Sequence, residues 1–576
     1  MLNQLSWKVG GQQGEGIDST GEIFAVALNR LGYFLYGYRH FSSRIKGGHT
    51  NYKIRVTTEP VKAISDNLDI LIAFDQETID LNSGELRDGG ILIADSKFNP
   101  QVNAENLQFF PVPITEIAQN LGTSLMKNMV AVGVTGAILG LPVDAFKEIV
   151  EEMFSKKGQQ VVDKNMEAIQ QGAEYIRNEA KGSLEDFILE KADGKKRLFM
   201  TGNEAVALGA IAAGVRFMPA YPITPATEVM EYLIKKLPEL GGAVIQTEDE
   251  IAAATMAIGA SYGGIRTMTS TSGPGLSLMQ EAIGLAGITE TPLVIVDVQR
   301  GGPSTGLPTK NEQSDYNAAI NGAHGEIPKI VIAPNSVEDA FYDTAEAFNL
   351  AEKYQCPVIV LTDLALGMGK QTVEPLDNSR IEIDRGKFVG DQELPATEGM
   401  FKRYEFTEDG VSPRVIPGQK FGIHHVTGVE HAENGRPSEA TTIRKKMMEK
   451  RLNKINNVTL NNSILKQAPH DEADLLVVGI GSTQGVITEA VGRLEKDGLK
   501  VNQAHVRLVY PFPANDMKEL MGKVKKVVVV ENNGTGQLAN LIKLNSGMGE
   551  KVEKLLKYDG NPFLPSEIYN GVKGLM

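Results

Sequence analysis

Three groups of residues near the middle of the chain have the types and spacing of a small-molecule site. The first is RFMPAYPITPATEVMEYL, where an apolar run ends near Tyr221 and a helical pattern follows Thr224. Thr224 as N-cap and Pro225 at the first helical position would be ordinary helix-start chemistry. The same arrangement would aim a hydroxyl and free amides beyond a strand's carboxyl end, where open α/β sheets bind ligands. The second group is IQTEDEIAAATMAIGASYGG, followed by Ser270, Thr271, Ser272, Gly273, Pro274 and Gly275. Thr247 and Glu250 are spaced as a capping box. Capping leaves unexplained the run of small residues behind Glu250, and a carboxyl at the mouth of so dry a contact would share a proton with a ligand nitrogen. The third is Arg300, which leaves the strand pattern LVIVDVQ and enters GGPSTGLPTKNEQSDY with Ser304, Thr305 and Thr309. An arginine there suits a carboxylate fork; the plain alternative is a surface loop. Taken together, the three groups end consecutive strands and would converge on one edge of one sheet.

Those residues need a scaffold, and the chain supplies one. Runs such as LDILIAF, GGILIAD, PLVIVDV, KIVIAP, PVIVLTD, DLLVVGIG and KVVVVEN alternate with helical stretches, which predicts α/β architecture with parallel sheets covered on both faces. At roughly 150 residues per domain, the 576 residues make three or four domains. Composition shifts place a first unit at 1–180, a linker at 181–197, a second domain at 198–375, an irregular connection at 376–465 and a last domain at 466–576. Within the connection, TTIRKKMMEKRLNKINN reads as a solvated basic helix.

Composition also excludes functions. With 58 Lys and Arg against 72 Asp and Glu, the net charge is −14, which argues against nucleic acid or anionic membranes as partners. One cysteine, Cys356, cannot hold an iron–sulfur cluster or make an internal disulfide, so any redox metal belongs to another chain. The N-terminal residues show no cationic start with an apolar run, and the expected location is the cytoplasm. Gly10, Gly11, Gly14 and Gly16 lie at a strand-to-helix turn, where they would serve either a phosphate or tight packing. Beside that turn in sequence, Arg39, His40, Arg44, Lys46 and His49 form a basic segment that would meet an anion or simply face solvent.

The motifs Tyr221-Pro222-Ile223-Thr224-Pro225, Glu248-Asp249-Glu250, Thr271-Ser272-Gly273-Pro274-Gly275 and Gln299-Arg300-Gly301-Gly302-Pro303-Ser304-Thr305-Gly306 resemble those of the 2-oxoacid:ferredoxin oxidoreductase family. The likeness is to the fused gamma–alpha subunit of the 2-oxoglutarate branch and covers nearly the whole chain. It implies a Rossmann-like gamma domain, a thiamine-enzyme pyrimidine-binding domain and a transketolase C-terminal-like domain. It further implies a thiamine diphosphate enzyme that decarboxylates a 2-oxoacid, passes electrons to ferredoxin and transfers the acyl group to coenzyme A. On that resemblance Glu250 activates the aminopyrimidine, Ser272 and Gly273 help hold the cofactor, Thr224 and Arg300 bind the 2-oxoacid, and Thr305 lines the pocket.

No GDG with a paired Asn at thiamine-motif spacing is present. Magnesium, the diphosphate contacts and a [4Fe-4S] cluster are therefore expected on a separate beta subunit, in an αβ or (αβ)₂ assembly. Two rival readings are a pyruvate- or branched-acid-specific member of the same family and a non-catalytic nucleotide-binding assembly subunit built on the glycine turn.

Overall fold

The computed structural model describes residues 1–42, 47–103, 106–180, 184–394 and 399–576, so Arg44 and Lys46 lie outside the described residues. The chain divides into two compact units, one made of 1–200, 368–375 and 564–566, the other of 201–367, 376–563 and 567–576.

The first unit is built on an eight-stranded sheet. Its strand order is Gln108–Val112, Leu86–Asp95, Leu68–Ala73, Gln4–Gln12, His49–Thr57, Phe34–His40, Lys370–Val373 and Leu198–Thr201. Gln4–Gln12 runs parallel to Leu68–Ala73 and antiparallel to His49–Thr57, so the sheet is mixed where uniformly parallel sheets were expected. The antiparallel pairs carry buried polar residues as well as apolar ones. Lys8 and Lys53 are both satisfied by Glu85, and Lys8 also donates to Asn82 Oδ1 at 2.9 Å. The glycine turn follows the first strand. Gly16 caps helix Ile17–Arg30 in the left-handed region at φ 82°, with Asn128 against it where a Cβ would stand.

The second unit holds two five-stranded sheets and a two-stranded one. The first has the order Met268–Thr271, Leu293–Gln299, Pro357–Asp363, Ile330–Ile332 and Leu508–Tyr510. Its first four strands are parallel, and Leu293–Gln299 and Pro357–Asp363 are buried at every position, as an apolar strand between covering helices requires. Strand Phe217–Ala220 pairs in parallel with Ala243–Gln246 in the small sheet. The other large sheet has Val501–Val506, Ala473–Gly479, Val524–Glu531 and Val552–Leu556 in parallel, with Ile464–Gln467 antiparallel at one edge. The two five-stranded sheets contribute to one apolar cluster that includes Ile295, Val331, Val478, Val506 and Val529.

The basic helix, Thr441–Asn456, is not solvated as its composition suggested. Lys450, Arg451 and Lys454 are buried on it. The reason is a pair of carboxylates, one fully buried and one partly so. Glu290 receives Lys450 Nζ at 2.6 Å and pairs with Lys454, while Glu430 takes Arg451 through two hydrogen bonds of 3.0 and 2.6 Å. Charges that look like a wet face in the sequence thus tie the connection to the second unit.

Candidate functional site

The site lies in the second unit, at the carboxyl ends of strands Phe217–Ala220, Met268–Thr271 and Leu293–Gln299, which belong to two sheets and not to the single sheet expected. Strand Leu293–Gln299 delivers Arg300, 6% exposed. Its Nη1 donates to the Thr224 carbonyl at 2.6 Å and its Nη2 to the Thr305 carbonyl at 3.1 Å, while Nε is buried without a protein partner. One guanidinium therefore joins two segments that are 81 residues apart, and Thr224, Arg300 and Thr305 come together. Burial lowers the Arg300 pKa, and the charges of Asp315 and Glu250 oppose that shift.

Thr224 reaches this place by a route other than the predicted one. The helix starts at Thr227 with Ala226 as N-cap, so Thr224 is not the cap and Pro225 is not its first residue. Side chains claim the intervening carbonyls: Asn203 Nδ2 donates to Pro225 O at 2.8 Å, as Arg300 does to Thr224 O. The segment is thereby held as a turn that lines the site.

The capping box at Glu250 is also replaced. Asp249 is the N-cap of helix Glu250–Tyr262, accepting the Ala252 amide at 2.7 Å, and Thr247 Oγ1 donates to the Asp249 carbonyl at 2.8 Å. Asp at an extended N-cap satisfies the free amides and leaves the next carboxyl uncommitted. Glu250 is 5% exposed, and among the described residues no hydrogen bond reaches its carboxyl. It lies against Gly275: a Cβ at that glycine would stand 2.6 Å from Glu250 Oε1 and 2.0 Å from Thr271 Oγ1.

Ser272 caps the short helix Gly273–Leu278 by backbone position only. Its Oγ is buried without a partner. A Cβ on Gly273 would meet the Asp315 carboxyl oxygens at 2.8 and 3.0 Å. The bare TSGPG backbone thus fits between two carboxyl groups, one from the helix Glu250–Tyr262 and one from the segment after Arg300.

Asp297 and Asp315 were not singled out from the sequence. Asp297 is fully buried within strand Leu293–Gln299, and both its oxygens lack partners. A charged residue inside LVIVDVQ was the available signal. Burial, reinforced by the nearby Asp315, raises its pKa well above the ordinary carboxyl range. Asp315 gave no such sign in a polar loop.

Elsewhere, Gly481 and Ser482 of the last sheet dock on Asp363, which accepts the Ser482 amide at 3.0 Å. Cys356 is buried in the core, where burial pushes its thiol up to about 12. Among the described residues no helix is long and apolar enough to cross a membrane.

Buried acceptors and donors without protein partners, on a cradle with no side chains, suit a polar heterocycle that can take part in hydrogen bonds; the buried arginine suits an organic anion. Residues 208–450 match the family described as pyruvate flavodoxin/ferredoxin oxidoreductase, thiamine diphosphate-binding. Residues 6–175 match pyruvate ferredoxin/flavodoxin oxidoreductase, and 473–568 match pyruvate:ferredoxin oxidoreductase core domain II. The alpha subunit of 2-oxoacid:ferredoxin oxidoreductase from Saccharolobus solfataricus is 33% identical over all of this chain and 98% of its own length. The 2-oxoglutarate synthase subunit KorA of Methanocaldococcus jannaschii is 41% identical over 65% of this chain and 99% of its own. The solved 2-oxoglutarate:ferredoxin oxidoreductase from Magnetococcus marinus, with 2-oxoglutarate, coenzyme A and succinyl-CoA bound, superposes over the full length of both chains with a TM-score of 0.93 and 38% identity. From its motifs, its multidomain α/β fold and the full-length likenesses to the Saccharolobus solfataricus and Magnetococcus marinus proteins, the chain belongs to the 2-oxoacid:ferredoxin oxidoreductase family, among the alpha subunits.

Proposed function

We propose that this chain is the alpha subunit of a thiamine diphosphate-dependent 2-oxoglutarate:ferredoxin oxidoreductase. It would convert 2-oxoglutarate and coenzyme A to succinyl-CoA and carbon dioxide, with two electrons leaving for ferredoxin. The observation that carries the reading is Glu250, 5% exposed, whose carboxyl takes no hydrogen bond among the described residues and lies against glycine backbone.

The residues fit the aminopyrimidine end of the cofactor. Glu250 would hold a proton at its ring nitrogen, with Ser272 Oγ as a further buried group and Gly273 offering backbone free of a side chain. When bound, the cofactor supplies a carbanion that attacks the substrate carbonyl and stores the electrons released on decarboxylation. Arg300 carries charge and free donors for the substrate carboxylate, Thr224 orients that end, and Thr305 lines the far wall. A buried arginine with its Nε unused is ready to bind an anion.

Half of the site is open. Residues 302–307 are exposed, as are Tyr221, Ile251, Met256 and Leu278 around it. This supports a beta subunit that covers this face. On this reading the partner supplies the diphosphate contacts, magnesium and the [4Fe-4S] cluster that a one-cysteine chain cannot ligate, and the assembly is αβ or (αβ)₂ and cytoplasmic. Reconstitution with that partner tests the reading. Turnover of 2-oxoglutarate should exceed that of pyruvate and of 2-oxoisovalerate, and should vanish without thiamine diphosphate. A preference for pyruvate or the branched acid would reassign the substrate. Turnover independent of the cofactor would overturn the proposal.

A further inference from the structure

Asp315 sits where a negative charge needs a reason. It is the residue before helix Tyr316–Asn321, yet its side chain makes no cap hydrogen bond there. Its own amide is held by Gln299 Oε1 at 3.0 Å, and Gln299 Nε2 is fixed on the Thr362 carbonyl at 2.9 Å. The carboxyl therefore turns inward, with both oxygens facing bare Gly273 and Oδ2 buried without a partner. The charged and titratable groups around it are Arg300 beyond the strand, Asp297 within the strand, Glu312 on its own loop and the buried Tyr316 phenol.

Arg300 has no carboxylate within ion-pair distance among the described residues, and the carboxyls whose charges act on it are Asp315 and Glu250. A buried cation needs compensation in the free enzyme. A substrate carboxylate docked on the guanidinium adds a further negative charge beside Asp315. We propose that Asp315 is a positioning residue that offsets the charge of Arg300 in the free enzyme and takes up a proton when the 2-oxoacid carboxylate docks on the guanidinium, so that substrate capture is linked to protonation of this side chain. The inference rests on the reading of Arg300 as the substrate's anchor.

The surroundings favour that proton. Burial and the like charge of Glu312 push the Asp315 carboxyl up to about 6 against the pull of Arg300. A second negative charge on Arg300 would raise it further. Above that pH the free enzyme carries Asp315 ionised, so binding must draw a proton from solvent and weakens as pH rises. Below it the proton is already in place.

The test is the pH dependence of kcat/KM for 2-oxoglutarate, from pH 5 to 9, in the complex reconstituted with its partner and cofactor. In the native complex kcat/KM should fall above the inflection with a slope approaching tenfold per pH unit, carried by KM. Asp315→Asn keeps the shape and removes the titration, so that component of the slope should disappear and KM at pH 8 should fall below the native value. Glu312→Gln, which removes the like charge, should move the inflection to lower pH, and it decides the matter if Asp315→Asn does not fold. A merely structural Asp315 would give a lower kcat or melting temperature with the native pH slope intact. Native profiles in the variants overturn the role of Asp315 while leaving Arg300 as anchor. A reconstituted complex that uses no 2-oxoacid overturns the functional reading itself.

Discussion

A single methyl group at Gly275 should disable the site without unfolding the chain. A Cβ built there would stand 2.0 Å from Thr271 Oγ1, 2.6 Å from Glu250 Oε1 and 2.8 Å from Glu250 Cγ. Ordinary contact begins near 3.4 Å, so the Glu250 side chain must retreat by about 1 Å, and such a misplacement of a reacting group costs on the order of 100-fold in rate. Overpacking adds about 1–3 kcal/mol of destabilisation, less than the stability of a domain this large. The assay is reduction of an artificial electron acceptor by the reconstituted complex with saturating 2-oxoacid and coenzyme A, beside a melting curve. Gly275→Ala should lose turnover on the order of 100-fold with a modest fall in melting temperature. Gly492→Ala is the control: that helical glycine has nothing within 4 Å of a new Cβ, and the change should stabilise by about 0.5–1 kcal/mol with turnover intact. If Gly275→Ala turns over at the native rate, Glu250 is not where the chemistry needs it and the assignment of its role fails.

Three other outcomes follow from the same contacts. Glu250→Gln keeps the shape but cannot give up a proton, so turnover should fall by about 10²–10⁴ while the subunits still co-elute in gel filtration; native turnover would remove Glu250 from the reaction. Arg300→Leu deletes a charged donor worth about 1.5–3 kcal/mol, which should raise KM for the 2-oxoacid by roughly 10- to 150-fold with a smaller change in kcat. An unchanged KM would place the substrate elsewhere. At Glu430, burial pushes the carboxyl up, but hydrogen bonds from Arg451 and Arg444 outweigh it and hold it at about 2. A depressed carboxyl pKa stabilises the fold above the ordinary carboxyl range, and that stability is lost as pH falls through about 2. Melting temperature recorded between pH 2 and 6 should therefore drop less steeply in Glu430→Gln than in the native chain, and parallel curves would refute the role of that carboxylate.

What the sequence disclosed, and what it withheld, divides along the range of the forces involved. Leu293–Gln299 and Pro357–Asp363 announce themselves because a strand covered on both faces must be apolar throughout, which is a local rule. The meeting of Thr224, Arg300 and Thr305 was expected on one edge of one sheet; they do meet, but Phe217–Ala220 belongs to the two-stranded sheet and Leu293–Gln299 to a five-stranded one, so it is the Arg300 side chain that joins them. Local rules failed where a distant side chain outbid them. Thr224 has the chemistry of an N-cap, but Arg300 and Asn203 hold the carbonyls of Thr224 and Pro225 and move the helix start to Thr227. Thr247 and Glu250 have capping-box spacing, but Asp249 lies between them and takes the amide itself.

Charge was the least legible property, because the meaning of a charged side chain depends on its partner. Lys450 and Lys454 belong to a segment whose composition is that of a wet surface, and Glu290, remote in sequence, buries them. Asp297 and Asp315 are the converse: two acids whose distinguishing feature is the missing partner. In a chain with 72 acidic residues, composition cannot pick out one whose oxygens face bare glycine. Yet an unpaired buried acid is costly, and it persists where a reaction or a ligand repays that cost. Glu250, Asp297 and Asp315 gather around the loop Thr271–Gly275 and Arg300, and such a concentration of uncommitted carboxyls beside one cation is what a site needs if it must both receive an anion and exchange a proton.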